Sequence, residues 1–361
     1  MNSRQFEYRR ELDALRFTDR QKELLTRRIS AAAEKPAAAR RRGHPVRRLA
    51  LMSAAAALAL AVGAGAAGGL KSVTEAFSGV FSGTAQTEII DRIGRPIGAS
   101  DTSGGVTITA DAIIGDRYNA CIVYTISRDD GTALLPEGVT AENLVMGGFG
   151  GSELSGMDWA HGSERFLPQT DERCVQMVET VSSAGGPLKQ GAAVTAKFQD
   201  LSVWDPDTAE TEVVAKGSWK LKFRANYEDL SVCMGNGETF SAGGRTYTID
   251  SVAVSPVGVR VAYTVDQEAH WSGAPSGQLN SADAQTKRDF LESVEIHLTK
   301  TDGTVIDLTN SGGSISPRNG VTVCTKDRVF DEILPLEELE SVSVGGVTYP
   351  VAQAGSGSAA Q

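Results

Sequence analysis

The sequence predicts a mainly β protein: two tandem β-sandwich units behind one membrane-spanning helix and a short helical arm. Three observations predict it. An uncharged run at residues 49–70 separates a basic segment from an acidic one. Past residue 96 the apolar residues change from a helical period to alternation. Within that alternating part, a block of 23 residues recurs at an offset of 139.

The arm comes first in the chain. Tyr8, Leu12 and Leu15 recur at i, i+4 and i+7 along residues 6–15, which is one face of a helix. Phe17 and Thr18 interrupt that face. Thr18 with Gln21 forms a capping box, so a second helix is expected over residues 19–30 with Leu25 and Ile29 on one side. Tyr8, Leu12, Leu15, Leu24, Leu25 and Ile29 are too few to offset the chain entropy of a free domain. They are therefore the candidate partner-binding residues, an apolar face that needs a groove. Residues 31–45 read as an Ala/Pro/Arg linker.

Residues 1–48 carry 14 Lys/Arg against 6 Asp/Glu, a net of +8; residues after 70 carry 21 against 39, a net of −18. The two sum to the chain's −10. The 22 uncharged residues between them include ten Ala, five Leu and four Gly. A helix rising about 1.5 Å per residue needs about 20 residues to cross a hydrocarbon core. Arg40, Arg41, Arg42, Arg47 and Arg48 hold the near end on the cytoplasmic side. Residues 1–48 are thus expected inside, 49–70 as a single-pass anchor in the cell membrane, and the remainder outside. The alternative is a cleaved signal peptide whose apolar core ends near Val62, with Ala64, Gly65 and Ala66 as the small-residue cleavage site.

Residues 71–96 are expected to hold a juxtamembrane helix over 73–93. Strand patterns follow at residues 106–109, 122–126 and 219–224. The last alternates strictly and points Trp219, Leu221 and Phe223 inward and Lys220, Lys222 and Arg224 outward. Asp130-Gly131 and Asp302-Gly303 are hairpin-turn signals. The recurrent block aligns residues 104–126 with 243–265 without a gap. Seven positions are identical: both glycines of each GG pair, Thr107/Thr246, Thr109/Thr248, Asp111/Asp250, Tyr124/Tyr263 and Thr125/Thr264. Duplication accounts for a match of that length, giving units over residues 97–225 and 226–352, each large enough for two packed sheets. Residues 353–361 read as a flexible tail.

The acidic outer part argues against nucleic acid as a partner. Cys121, Cys174, Cys233 and Cys324 all follow the anchor and permit either two disulfides or buried thiols. No CxxC or Cys/His cluster points to zinc, and no acidic turn has the spacing of a calcium loop. Catalytic motifs are absent, and His44, His161, His270 and His297 stand alone, so neither an enzyme, a cofactor nor a metal is expected. Trp159, Trp204 and Trp271 are expected in the core.

The segments LDALRFTDRQKELLTRRI, IGASDTSGGVTITADAIIGDRYNACIVYTI, GSWKLKF and GGRTYTIDSVAVSPVGVRVAYTV, with one membrane helix between the first and the rest, carry a resemblance. The chain resembles a family of Gram-positive bacterial membrane proteins, often labelled anti-sigma-factor-like, with an outer domain of unknown function. The resemblance implies an immunoglobulin-like outer region and a cytosolic segment that holds an extracytoplasmic-function sigma factor. This chain departs from that pattern in having only 48 residues before the anchor and no His-x3-Cys-x2-Cys signature. The functional expectation is a signalling protein whose outer domains sense an extracellular ligand or state. The alternative is a surface-displayed adhesion or binding module whose arm serves only insertion.

Overall fold

The structure is a computed structural model, and it describes residues 71–81, 87–157, 160–168, 171–205, 210–272 and 280–351. The arm residues Tyr8, Leu12, Leu15, Leu24, Leu25 and Ile29, the anchor at 49–70 and the tail at 353–361 lie outside the described residues. Among the described residues no helix is long and apolar enough to cross a membrane.

The described chain is mainly β, in four antiparallel sheets. Its first part contains β1 (Arg95–Ser103), β2 (Val106–Gly115), β3 (Asn119–Arg128), β4 (Leu144–Leu154), β5 (Ala160–Phe166), β6 (Cys174–Ser183), β7 (Ala193–Asp205) and β8 (Glu210–Arg224). They form a five-stranded sheet, β1-β2-β3-β6-β5, and a three-stranded sheet, β4-β7-β8. Both sheets contribute to one apolar cluster that includes Ile108, Ile122, Tyr124, Phe198, Trp219 and Leu221. The alternation in β8 places residues as expected: Trp219 and Leu221 are buried, and Lys220, Lys222 and Arg224 are exposed.

The second part contains β9 (Val232–Met234), β10 (Glu238–Ala242), β11 (Arg245–Val254), β12 (Gly258–Val265), β13 (Ile296–Lys300), β14 (Val305–Asp307), β15 (Gly312–Arg318), β16 (Val321–Val329), β17 (Leu339–Val344) and β18 (Val347–Pro350). One sheet has the order β10-β11-β12-β16-β15 with β9 also on β11, and the other has the order β14-β13-β17-β18. The path of the first part recurs here: β1-β2-β3-β6-β5 matches β10-β11-β12-β16-β15, and β4-β7-β8 matches β13-β17-β18. A second apolar cluster, with Tyr247, Val261, Tyr263 and Val342, joins these two sheets.

The recurrent block explains the match residue by residue. Gly104-Gly105 and Gly243-Gly244 open the two hairpins with φ of 60° and 75°, and of 56° and 78°. Two successive positive-φ residues make the tight turn whose twist suits a hairpin, and glycine adopts it without a Cβ clash. The ladders then slip at one place in each copy, between Ala110 and Ala112 and between Ile249 and Ser251. Asp111 and Asp250 are the extra residues of those bulges. Each accepts a hydrogen bond from its identical threonine, Thr125 (2.5 Å) and Thr264 (2.8 Å). Tyr124 and Tyr263 are both fully buried, as are Ile122 and Val261 beside them.

Three expectations need correction, and the open choice between disulfides and thiols is decided. Residues 73–93 are not one helix but α1 (Val73–Ala76) and α2 (Thr87–Ile93), because the chain turns at Gly79 with φ of 82°. Asp302-Gly303 does join the paired strands β13 and β14, but Asp130-Gly131 does not make a hairpin. After that turn Leu134 and Leu135 dive into the first core, carrying the chain across to β4 in the opposite sheet. All four cysteines are free; Cys121 and Cys324 are buried in apolar surroundings, and Cys233 is exposed. Trp204 and Trp271 are exposed, at 40% and 47%, rather than in the core, while Trp159 lies outside the described residues. Sequence reading also missed α3 (Ser281–Lys287), whose start is marked by Asn280 accepting from Asp283 N.

Candidate functional site

The described chain begins at residue 71, where the uncharged run ends, and the fastening of that end to the first unit is the candidate site. Lys71 Nζ donates to Asp111 Oδ2 at 3.1 Å and to Thr125 Oγ1 at 2.7 Å. Asp111 is the bulge residue of β2 and is 5% exposed. Burial pushes its carboxyl above the ordinary carboxylate range, against the opposing pull of Thr125 and of Lys71. Its counterpart Asp250 keeps the threonine bond and lies exposed. The bulge aspartate of the first unit is thus paired with a cation from the segment that follows the uncharged run.

The helices deepen that fastening. Ser72 caps α1 by accepting from Glu75 N at 3.1 Å. Val73, Ala76, Phe77, Ile90 and Ile93 then cover the outer face of the five-stranded sheet, on Ala112, Ile114, Cys121 and Val123. This is why residues 112–115 are buried on both faces rather than alternating. The equivalent outward residues of the second unit are Ser251, Ala253, Arg260 and Ala262, too polar to recruit such a cover. Gly94 at the end of α2 leaves no room for a side chain: a Cβ there would press on Val73, Ile114 and the Ile90 carbonyl.

The second unit meets this same end through a buried polar seam. Ser255 Oγ donates to Asp116 Oδ2 at 2.7 Å. The two residues are equivalent in the repeat, since 116 plus 139 is 255. Each also caps its own β-turn. Asp116 Oδ1 accepts from Tyr118 N (2.8 Å) and Asn119 N (2.6 Å), while Ser255 Oγ accepts from Val257 N (3.0 Å) and Gly258 N (3.1 Å). Asp116 is wholly buried, and desolvation raises its carboxyl despite four kinds of donor. Alongside, Arg260 of β12 donates to the carbonyls of Ser183, Ala184 and Gly185 and lies 4.5 Å from the centre of the Tyr118 ring. Val257 and Ile333 complete the apolar cluster that α1 and α2 began.

The arrangement fastens residues 71–94 to the first unit and joins the two units at Asp116 and Ser255. Among the described residues no group of three or more His, Cys, Asp or Glu side chains could hold a metal ion. A cleft of about 380 Å³ lies in the second unit, between Ile306, Leu308, Phe330 and Leu334, with Asp307, Asp331 and Arg328 at its rim. At its rim Arg328 pairs with Asp331 at 3.1 Å, and Asp307 lies 3.9 Å from His297 Nε2 outside the cleft.

Comparison with protein-family models gives no match, and comparison with curated proteins gives none. Among solved structures the chain is distantly similar to the crystal structure of the conserved domain protein from Bacillus anthracis. The identity is 15% and the TM-score 0.47, over 74% of this chain and 79% of that one.

Proposed function

We propose that the chain is a single-pass membrane signalling protein of the anti-sigma-factor-like kind. Residues 1–48 form its cytosolic arm, 49–70 its retained anchor, and 71–361 its outer region. In this reading residues 97–225 and 226–352 are two immunoglobulin-like β-sandwiches acting as a sensor for an extracellular ligand, with no enzymatic role. The arm residues Tyr8, Leu12, Leu15, Leu24, Leu25 and Ile29 dock on a cytosolic sigma factor and restrain it at the membrane.

The observation that carries the reading is the reversal of charge, from +8 to −18, across 22 uncharged residues. The fastening of Lys71 supports it. A sensor can pull on its anchor only if the anchor's outer end is held, and the Lys71–Asp111 pair and the α1–α2 cover hold it. A surface-binding module is the second reading, favoured by Val145, Trp204 and Val213, which are 37%, 40% and 43% exposed around the Ser202 pairing of the three-stranded sheet.

Topology is tested by adding protease to intact cells or protoplasts. The expected result is loss of the outer units and survival of a membrane-bound fragment with the native N-terminus. A soluble mature protein beginning near Ala67 would instead show that residues 49–62 are a signal peptide.

A further inference from the structure

Glu179 sits where an apolar residue belongs. Along β6, Val175, Met177 and Val181 point into the first core, and Glu179 occupies the same face at 3% exposure. Its lateral neighbours are Ile122 on β3 and Glu164 on β5. The carboxylate accepts from Tyr124 OH of β3 at 3.0 Å, and from Ser152 Oγ and N of β4 at 2.6 and 2.5 Å. Because β4 belongs to the opposite sheet, one carboxylate ties the two sheets together.

Among the described residues no cation balances it. From β3 the facing ionisable group is Tyr124, from β4 Ser152 offers only neutral donors, and from β5 the facing group is Glu164. From β7 the Phe198 ring packs edge-on to Tyr124, 5.1 Å between centroids. The neighbouring charges turn away: Arg165 donates to the Val80 carbonyl on the outer face, and Lys197 pairs with Glu153 at 2.9 Å.

We propose that Glu164 and Glu179 share one proton across the β5–β6 pair, and that losing it releases the β4 and β5 edges of the first unit. Two like charges on directly opposed residues repel when neither is protonated, and one proton held by the pair removes that repulsion. Both strands are sheet edges. β5 pairs only with β6, and the β4–β7 ladder slips twice, around Gly147 and Gly151. Glu164 lies exposed along the edge strand, yet partial desolvation of its carboxyl and then the Glu179 charge push it up to about 7 from 4.5, and full burial raises Glu179 as well. The sign follows from linkage. A carboxyl raised on folding contributes its stability fully below about 4.5 and loses it as the pH climbs through about 7. The device stands on this cluster alone and holds whether or not the arm binds a partner.

The test is amide hydrogen exchange of the full-length protein between pH 5.5 and 8.5, corrected for the intrinsic rate, in wild type and Glu164→Gln. Wild type is expected to lose protection in residues 144–154 and 160–166 by about three- to tenfold across that range, since one pKa unit corresponds to a factor of ten and Glu164 is partly solvated. Glu164→Gln is expected to keep its protection throughout. Equal pH dependence in the two proteins overturns the proposal. If the variant fails to fold, the carboxyl titration of wild-type Glu164 decides: a midpoint near 7 supports the shared proton, and one near 4.5 refutes it.

Discussion

Replacing Trp219 with Ala is expected to cost about 3–5 kcal/mol, the range for deleting a large buried aromatic. The indole is 1% exposed at the centre of the first core. Its Nε1 donates to the Val106 carbonyl at 2.8 Å, which joins β8 of one sheet to β2 of the other. Truncation therefore opens a cavity and removes an inter-sheet hydrogen bond together. Neighbours cannot collapse into the space, because the Gly217 backbone already lies against the ring. Trp219→Phe keeps most of the volume and loses only the bond, so it should cost about 1–2 kcal/mol. Urea unfolding of the β units measures both, and near-equal losses would mean that the hydrogen bond, not the volume, dominates.

Asp116→Ala is the second large expected effect, at roughly 3 kcal/mol. The substitution leaves the amides of Tyr118 and Asn119 without their acceptor inside a buried turn, and each orphaned donor costs about 1–3 kcal/mol. It also frees Ser255 Oγ, the equivalent residue of the other unit. Ser255→Ala alone should cost about 1 kcal/mol, with the double variant less damaging than the sum by about 1 kcal/mol, as expected for residues in direct contact. Strict additivity would show that the two turns are stabilised independently and that the seam contributes nothing.

These two residues also mark how far sequence reading reaches. Trp219 was legible, because strict alternation with Lys220 and Lys222 leaves it one face to occupy. The recurrent block was legible too, and five of its seven identical positions have a shared geometric duty: two glycines in left-handed turns, the aspartate at the bulge, the threonine that bonds it and the tyrosine in the core. The Asp116–Ser255 contact was not, although both lie within the block. The alignment says that the positions are equivalent and is silent on whether equivalent turns touch. The run of apolar residues at Ala112, Ile113 and Ile114 fits a strand buried on both faces, but sequence reading placed that strand only over 106–109 and expected no cover over the outer face. Its identity, α1 and α2, was obscured by reading residues 73–93 as one helix across Gly79. Glu179 left a signal that alternation can recover, a lone carboxylate in phase with Val175, Met177 and Val181. Its partner Glu164 left none, since AHGSERF has no apolar period.

The candidate partner-binding face belongs to the arm, outside the described residues, and its spacing alone carries it. Purifying the full-length protein from its native membranes tests it most directly, comparing wild type with the Leu12→Asp, Leu25→Asp double variant. The account predicts that a sigma factor co-purifies with wild type and is lost with the double variant, because burying each such leucine in a groove contributes about 1.5–3 kcal/mol. It also predicts that replacing Arg41 and Arg42 with Ala leaves the complex intact. Recovery of lipid alone with wild type, together with unchanged transcript levels after deletion of residues 3–30, would contradict it and leave the surface-module reading in its place.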